Sequence, residues 1–326
     1  RDSARNSLRS IPRPMVGRPH DVLSSPSLGC KTGLIRGGIT SDDALLSRGT
    51  TSDVYALGED TVVKVPRPEV PDRWIDVEAS HAMAVHEAGL PTPNVVDVID
   101  VDDRRSIVFE RVRGPSMLNE LAASPQRADH LAREMAAIQR EFHTAEAPVE
   151  LPHQRGRVAG KIASSVPTSE QDRLEAARLL DGLPDGTSIC HGDIHPGNIL
   201  IGSDGPVVID WFDAAGGHRL SDIVRSSLLV RPLASGESGP PHLPGVAAEV
   251  LARFHRSYIG AMLDSSALDV GTLLRWEAVL AVSRLAEPLR AEIDDLLAVW
   301  RARADLSLQP TTPLAELLLT QSEQRP

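Results

Sequence analysis

A short polar loop followed at once by an apolar hairpin is the feature that most limits how this chain can fold. The loop from Cys190 to Asn198 reads CHGDIHPGN and holds an acid, Asp193, five residues before the amide of Asn198. The hairpin follows as NILI, the turn GSDG and VVID, which ends in Asp210. Because the loop leads directly into the hairpin, we expect three oxygen-bearing side chains at one end of a small sheet.

Oxygen-bearing side chains in this order suit phosphoryl transfer. One carboxylate can accept a hydroxyl proton, while an amide oxygen and a second carboxylate can hold a hard cation. Kinases use this arrangement, with an aspartate as base or orienter and an Asn–Asp pair on Mg²⁺. The alternative is that Asp193 and Asn198 only cap turns, as these residue types often do. Features upstream in the chain favour the first interpretation.

The loop and hairpin resemble those of the aminoglycoside phosphotransferase family, small-molecule kinases that share the bilobal protein-kinase fold. The resemblance is carried by HGDIHPGN at 191–198, which matches H-G-D-x-H-x-x-N, and by VVIDW at 207–211. It implies an α+β fold with a small β-rich N-terminal lobe and a larger, mainly helical C-terminal lobe. It also implies that Asp193 orients and deprotonates the acceptor hydroxyl, and that Asn198 and Asp210 hold Mg²⁺.

A lysine inside an apolar strand is the main upstream feature. Lys64 lies in TVVKV at 61–65, where a charge is otherwise unfavourable. In kinases a strand lysine contacts the α- and β-phosphates and pairs with a helix glutamate, and the resemblance makes Glu78 that partner. The alternative is an edge-strand lysine that points into solvent. Other acids on or near the same helix that leave the pairing open are Asp72, Asp76 and Glu87.

The remaining nucleotide contacts are implied by the resemblance alone. The stretch SRGTTSDVY at 47–55 takes the place of the phosphate-covering loop, where Ser52 and the threonines before it would donate hydrogen bonds to phosphate. An ordinary turn is the alternative. The stretch IVFERVRG at 107–114 takes the place of the strand that enters the hinge between the lobes, where the Glu110 carbonyl and the Val112 amide would contact adenine.

Apolar periodicity divides the chain into three parts. Residues 1–36 mix Arg, Ser, Pro and Gly without periodicity and predict a flexible basic tail. Residues 37–113 predict two strands, a helix and two further strands, which form a small lobe for the nucleotide. Residues 114–320 predict mainly helices around the loop and hairpin, and form the lobe that carries the catalytic loop and the acceptor site.

The charge balance and the hydropathy pattern argue against several kinds of partner. The chain has 34 basic and 45 acidic residues, and this net charge of −11 disfavours nucleic acid because phosphate neutralisation needs a basic face. No run approaches the roughly 20 apolar residues that a membrane span needs, and two cysteines do not make a disulfide framework. We therefore expect a cytoplasmic protein that binds neither nucleic acid nor a membrane.

Other polar residues around the motif have structural interpretations. His191 and His195 are four residues apart on a loop that contains Gly and Pro, so we do not expect them to bind zinc. The resemblance implies that they hold the catalytic loop instead. Asp213 and Asp222 either support the loop or contact a cationic substrate, and support is the preferred interpretation. We interpret His143, at a helix end, as structural.

Together these residues predict an enzyme that moves the γ-phosphoryl group of ATP or GTP to a hydroxyl of a small molecule, such as an aminoglycoside-like antibiotic or a metabolite. Residues 245–326 hold eleven acids and eight bases, which suits a cationic acceptor, although surface solvation explains so small an excess equally well. Two alternatives stay open. One is a kinase for Ser or Thr of a peptide or protein, and the other is a nucleotide-binding module without catalysis.

Overall fold

The computed structural model of the chain describes most residues from 44 onward. The predicted basic tail, 1–36, lies outside the described residues. The described residues are 44–233, 240–264, 270–287, 290–302 and 314. Within them the chain first forms a β-sheet with one helix and then a larger set of helices.

A five-stranded antiparallel sheet forms the first part of the described chain, in the order β1–β2–β3–β5–β4. The strands are β1 Leu45–Arg48, β2 Ser52–Ala56, β3 Thr61–Pro66, β4 Val95–Val101 and β5 Arg104–Glu110. On the central strand β3, Lys64 pairs with Val54 of β2 and with Ile107 of β5. Its neighbours Val63 and Val65 are buried. Lys64 is therefore not an edge-strand lysine, and that alternative is wrong.

One helix, α1 Asp72–Glu87, connects β3 to β4 and packs against β4 and β5. Its buried side chains include Ile75 and Ala79, which recur at helical spacing, and Glu78 is buried beside them. The chain then turns at Gly89, whose φ of +81° favours glycine because a β-carbon is strained there. The predicted helix from 72 to about 88 is confirmed.

Helices form most of the chain after Gly114. They are α2 Met117–Ala123, α3 Ala128–Thr144, α4 Gln154–Ser164, α5 Glu170–Asp181, α6 Arg219–Val230, α7 Ala248–Asp264, α8 Val270–Arg284 and α9 Ile293–Ala302. Apolar spacing explains their packing: Leu131, Met135 and Phe142 of α3 are fully buried, and α3 packs against α7 while α6 packs against α8. The predicted α+β fold, β-rich first and mainly helical afterwards, is confirmed.

Helix boundaries depart from the periodicity where glycine and proline intervene. Helical periodicity in the sequence extends over 244–263, but the helix begins only at Ala248, because Gly245 takes a left-handed φ of +81°. Helical periodicity also extends over 288–304, where the described residues form a 3₁₀ turn at Arg290–Glu292 and then α9 from Ile293. The sequence does not predict α4, whose two glycines lower its helix propensity. Among the described residues, no helix combines the length and the apolar character that crossing a bilayer requires.

Two short two-stranded sheets carry the polar loop between them. The strands are β6 Ser188–Cys190, β7 Ile199–Gly202, β8 Gly205–Val208 and β9 Ala215–Gly217. The predicted hairpin is the pair β7–β8, and β6 pairs with β9, which the sequence does not predict because Ala-Gly-Gly is a poor strand former. The loop 191–198 joins β6 to β7 and the segment 209–214 joins β8 to β9, so both run between the β6–β9 pair and the β7–β8 hairpin.

Gly114 lets the chain leave the sheet close to the hairpin. It has a φ of +149°, and a β-carbon at this position would lie 1.9 Å from the carbonyl oxygen of Ile201 in β7. The next residue, Pro115, accepts a hydrogen bond of 2.8 Å from the amide of Ile201. On the other side, the amide of Val208 in β8 donates to the carbonyl of Pro91 at 2.8 Å. The sheet and the β7–β8 hairpin are thereby held together.

Candidate active site

Lys64 lies between two carboxylates from distant parts of the chain. Its Nζ is 2.5 Å from Glu78 Oε1 on α1 and 3.3 Å from Asp210 Oδ1, just beyond β8. Lys64 and Asp210 are 146 residues apart, so this contact joins the sheet to the hairpin. Glu78 is buried, whereas the Asp210 side chain is 40% exposed. The structure thus brings together three of the predicted site residues.

Charge outweighs burial in setting the ionisation of Lys64 and Asp210. Burial alone lowers the pKa of the Lys64 ammonium, but the negative charges of Asp210 and Glu78 raise this pKa above its ordinary value. Burial alone raises the pKa of Asp210, but Lys64 and His191 lower it below its ordinary value. At neutral pH a lysine cation therefore faces an ionised aspartate.

The backbone at Asp210 is held in a left-handed conformation by the packing around it. Its φ is +69°, which costs a residue other than glycine roughly 1–2 kcal/mol. The next residue, Trp211, is buried, donates from Nε1 to Val208 O at 3.1 Å and packs edge-on against Phe142. His81 of α1 contacts the Trp211 carbonyl at 3.1 Å through Nδ1. These contacts fix the aspartate relative to α1 and the lysine.

Asp193 and Asn198 lie together in the loop before the hairpin. The Asn198 amide Nδ2 donates to the Asp193 carbonyl at 2.9 Å and to Asp193 Oδ2 at 3.4 Å. The amide of Ile209 donates to the Asn198 carbonyl at 3.0 Å, which ties the loop to the strand end beside Asp210. Since Asp193 engages the amide nitrogen of Asn198, the amide oxygen is the atom that Asn198 can offer to a cation.

Two histidines shape the loop by hydrogen bonds to its backbone. His191 Nδ1 accepts from the amide of Asp193 at 3.1 Å, so its Nε2 carries the proton and donates to the Ile209 carbonyl at 3.1 Å. His195 Nδ1 accepts from the amide of Gly197 at 3.0 Å, and burial lowers the pKa of His195 to about 4. These contacts agree with the interpretation that both histidines hold the loop.

Gly192 links the loop to Asp222 of α6. Gly192 has a φ of +79°, and a β-carbon there would lie 2.6 Å from the Asp213 carbonyl oxygen. Its amide donates to Asp222 Oδ1 at 2.7 Å. The other oxygen of Asp222 accepts from Gln139 Nε2 at 2.9 Å and from His143 Nε2 at 3.0 Å. Asp222 and His143 therefore support the loop, as expected.

His143, Cys190 and Asp222 also form a cluster that resembles a set of metal ligands, because their ligand atoms lie within 4.8 Å of one another. Burial raises the pKa of the Cys190 thiol well above its ordinary value, so this thiol stays protonated. Both oxygens of Asp222 already accept hydrogen bonds. We therefore interpret the cluster as part of the support beneath the loop.

Arg225 of α6 is a site residue that its sequence context does not reveal. Its Nη2 donates to Asp193 Oδ1 at 3.1 Å and to Glu287 Oε2 at 3.2 Å, and its Nε donates to the Gly192 carbonyl at 3.0 Å. Its neighbours Ile223 and Val224 are apolar, but they do not by themselves mark a buried charge. Because only three of the 34 basic residues are lysine, a single arginine carries little information in this sequence.

Asp213 lies beside the loop between two cations of α4. Arg157 Nη2 donates to its Oδ1 at 2.6 Å and Lys161 Nζ donates to its Oδ2 at 3.2 Å. Burial alone raises the pKa of Asp213, but Lys161, Arg157 and Arg225 lower it to about 2. Lys161 Nζ also donates to Glu287 Oε1 at 3.1 Å. An unbroken set of ion pairs therefore runs from Asp193 to Asp213.

The predicted phosphate loop closes without a glycine-rich sequence. Gly49 N donates to the Ser52 carbonyl at 2.8 Å, and Arg67 donates to the Gly49 carbonyl at 3.1 Å and to Asp53 Oδ1 at 3.0 Å. Ser52 is buried at the start of β2 and pairs with Pro66. These contacts order the turn, and a hydrogen bond from Ser52 to phosphate stays a prediction.

The predicted hinge residues lie at the end of β5. Glu110 pairs with Thr61 of β3, and its amide donates to the Asn94 carbonyl at 2.9 Å. Val112 follows as a half-buried residue beside Gly202 of β7. Both lie at the passage from the sheet to the helical part, where the resemblance expects adenine, and their contacts with adenine stay predictions.

The oxygen donors at the end of the hairpin fit a magnesium ion. A carboxylate and an amide oxygen are ligand types that Mg²⁺ prefers, and Asp210 and Asn198 supply one of each. Lys64 engages only one carboxylate oxygen of Asp210, and the 40% exposure of that side chain leaves it accessible. The residues present are therefore compatible with the predicted metal site.

Comparison with known proteins places this chain among phosphotransferases. A family model described as "Phosphotransferase enzyme family" matches residues 44–238. A choline/ethanolamine kinase family protein from Mesorhizobium loti is 17% identical, with a TM-score of 0.51 over 87% of this chain and 92% of that one. The apo form of a thermostable mutant of aminoglycoside phosphotransferase APH(4)-Ia is 16% identical, with a TM-score of 0.53 over 80% of this chain and 92% of that one.

A further mutant of APH(4)-Ia, in a ternary complex with AMP-PNP and hygromycin B, is 14% identical, with a TM-score of 0.54 over 80% of this chain and 90% of that one. A comparison with curated protein sequences gives no match. At these identities the likeness concerns the fold, and it confirms the predicted bilobal, kinase-like architecture.

Proposed function

This chain belongs to the phosphotransferase enzyme family, as the motif resemblance predicts, and we propose that it moves the γ-phosphoryl group of ATP or GTP to a hydroxyl of a small molecule. The observation that carries the proposal is the contact of Lys64 with Asp210, 3.3 Å across 146 residues of sequence. Phosphoryl transfer needs a lysine and a metal-binding acid beside the same triphosphate, and here the lysine of the sheet and the acid after the hairpin lie next to each other.

In the proposed complex, residues 37–113 form the nucleotide lobe and residues 114–320 form the lobe for the acceptor. Lys64 binds the α- and β-phosphates, and Glu78 holds its ammonium in place at 2.5 Å. The cation neutralises phosphate charge and positions the chain of phosphates for in-line transfer. Further nucleotide contacts are proposed for Ser52, the Glu110 carbonyl and the Val112 amide.

Asp193 acts on the acceptor hydroxyl. Its Oδ1 is held by Arg225 at 3.1 Å, while Oδ2 lies near Asn198 at the partly exposed side of the loop. The hydroxyl binds to Asp193, its oxygen forms the new bond to the γ-phosphorus, and the bond from this phosphorus to the bridging oxygen of the nucleoside diphosphate breaks. Asp193 takes up the hydroxyl proton, so atoms and charges balance.

Asn198 and Asp210 are the residues that would hold Mg²⁺, which supplies neutralisation of phosphate charge when bound. In this role Asp210 would contact both Mg²⁺ and Lys64. The left-handed backbone at Asp210 and the hydrogen bond between Ile209 N and the Asn198 carbonyl keep the two residues at the same end of the hairpin.

The test is an ATP-consumption screen with hydroxylated metabolites, aminoglycosides and Ser/Thr peptides as acceptors. Asp193→Asn keeps the shape of the side chain but removes the proton acceptor, and we expect turnover to fall at least about 10²-fold. Asp204→Asn, an exposed aspartate in the turn between β7 and β8, is the matched control and should retain full turnover. Equal turnover by Asp193→Asn and the parent would remove the assignment, and transfer to peptides alone would favour a protein kinase.

A further inference from the structure

A cleft between α4, α6 and α8 opens beside the catalytic loop. Its wall includes Gly192, which precedes Asp193, and Arg225, which donates a hydrogen bond to Asp193. Two cations of α4 line the same cleft: Arg157, whose side chain is 23% exposed, and Lys161, at 32%. A ligand in this cleft therefore has access both to the loop that carries the proposed base and to two partly exposed cations.

Three ion-pair contacts lead from the proposed base to the most exposed of these cations. Asp193 Oδ1 is 3.1 Å from Arg225 Nη2, this nitrogen is 2.9 Å from Glu287 Oε1, and this oxygen is 3.1 Å from Lys161 Nζ. The direct distance between two atoms cannot exceed the sum of the contacts that link them, so Lys161 Nζ lies within about 9 Å of Asp193 Oδ1. A molecule of a few carbon atoms spans that distance.

Hydrogen-bond donors are in excess on the wall of the cleft. Every carboxylate oxygen of Asp213 and Glu287 already accepts at least one hydrogen bond from Arg157, Lys161, Arg225 or Arg284. Of the five N–H groups of Arg157, one donates to a described residue, and of the three of Lys161, two do. Counted over these four side chains, Arg157 and Lys161 leave five N–H groups without a partner among the described residues, against about three of the roughly eight lone-pair positions of the two carboxylates.

We infer that the acceptor carries, besides its hydroxyl, an anionic group, a carboxylate or a phosphate, which Arg157 and Lys161 bind while the hydroxyl lies at Asp193. This inference rests on the proposed function. A guanidinium and an ammonium that share one carboxylate can also donate to a carboxylate or phosphate of a ligand. Because both cations already share Asp213, an incoming anion adds hydrogen bonds to donors that the acid leaves unused.

The inference opposes the expectation of a cationic acceptor that the acidic surplus of 245–326 raises. Among the described acids of that stretch, Glu287 is the one that pairs with a cation of the cleft, and it is already shared by Lys161 and Arg225. A polycationic acceptor would instead meet Arg157 and Lys161 with like charge, which is unfavourable for binding.

The test compares acceptors that differ only in charge. Purified full-length chain, ATP and Mg²⁺ are combined with short-chain hydroxycarboxylates and glycerol phosphate, with the matched diols and glycerol, with the matched amino alcohols, and with kanamycin. We expect kcat/KM to be at least about 10-fold higher for the anionic member of a set than for its neutral counterpart. Arg157→Gln and Lys161→Gln should each lower this ratio about 10-fold or more through a higher KM, and Lys161→Arg should restore part of it.

The matched control is Arg253→Gln, which also removes an arginine–aspartate pair but on the surface between α7 and α3. It should leave the ratio and the rate unchanged. Turnover that favours neutral or cationic acceptors, a ratio unaffected by both α4 variants, or no turnover of any anionic acceptor would overturn the inference and leave the proposed function in place. Absence of ATP turnover with every acceptor would remove the proposed function, and the inference with it.

Discussion

Replacement of Arg225 by methionine tests how the catalytic loop is held. The substitution removes the donors to Asp193 Oδ1, to the Gly192 carbonyl and to Glu287, while an unbranched side chain that replaces the arginine as far as Nε is kept. Loss of one partner of a buried pair costs about 3–5 kcal/mol. Asn198 still donates to Asp193, and Lys161 and Arg284 still pair with Glu287, so we expect the lower end, about 3 kcal/mol.

The activity should fall through kcat rather than through nucleotide binding. Without Arg225 the Asp193 carboxylate can rotate away from the acceptor, and a displacement near 1 Å costs about 10²-fold in rate. The KM for ATP should change little, because Lys64, Glu78 and Asp210 make no hydrogen bond to Arg225 within the described chain.

Urea unfolding measures the stability of the Arg225→Met variant and steady-state kinetics measure kcat and KM. Arg225→Lys should recover part of the stability but little of the rate, since its single nitrogen replaces the Nε and Nη2 that bind Gly192 and Asp193 and does not hold both in the same geometry. Arg253→Met, which breaks an exposed pair, should behave as the parent. An unchanged kcat in Arg225→Met, or a loss explained by the KM for ATP, would refute the reasoning.

Three further predictions concern the groups around the loop. Glu78→Gln removes the charge that holds Lys64 and should raise the KM for ATP about 10-fold. Asp76 is an exposed acid of the same helix, and Asp76→Asn should leave this KM unchanged. Equal KM values for the two variants would contradict the ion-pair role of Glu78. Gly192→Ala should lower the free energy of unfolding by clearly more than the about 1 kcal/mol expected for Gly58→Ala, because Gly58 has a similar φ but open space around it. Equal losses in urea unfolding would contradict the close approach of Gly192 to the Asp213 carbonyl. The pKa of Asp213 lies at about 2 against an ordinary 3.8, so its ion pairs stabilise the folded state by about 2 kcal/mol above pH 4, and this contribution is lost as the pH falls towards 2. The difference in unfolding free energy between the parent and Asp213→Asn should therefore shrink over that range, and a constant difference would disprove the linkage.

The parts of the site that lie close in sequence could be predicted from it. Asp193, Asn198 and Asp210 belong to one loop and hairpin, and the order of polar loop, apolar strand, turn and apolar strand is enough to place them at one end of it. Lys64 and Glu78 follow one another on a strand and a helix, so their pairing needs only the family's pattern. Periodicity also predicts most helices and strands, because packing of an apolar face decides them.

The parts that depend on contacts across the chain could not be predicted from periodicity. The contact of Lys64 with Asp210 spans 146 residues, and only the resemblance assigns both residues to one nucleotide. Arg225 and the pairs of Arg157 and Lys161 with Asp213 join different helices, and arginine is too common in this sequence to mark them. Nothing local in the sequence distinguishes a buried, paired arginine from a solvated one.

The most direct measurement is a crystal structure of the full chain with AMP-PNP and Mg²⁺. The account predicts electron density for the metal between Asn198 and Asp210, with Lys64 on the α- and β-phosphates and the γ-phosphate directed at Asp193. A nucleotide bound outside the space between the sheet and the hairpin, or one bound there with Lys64 and Asp210 uninvolved, would contradict it.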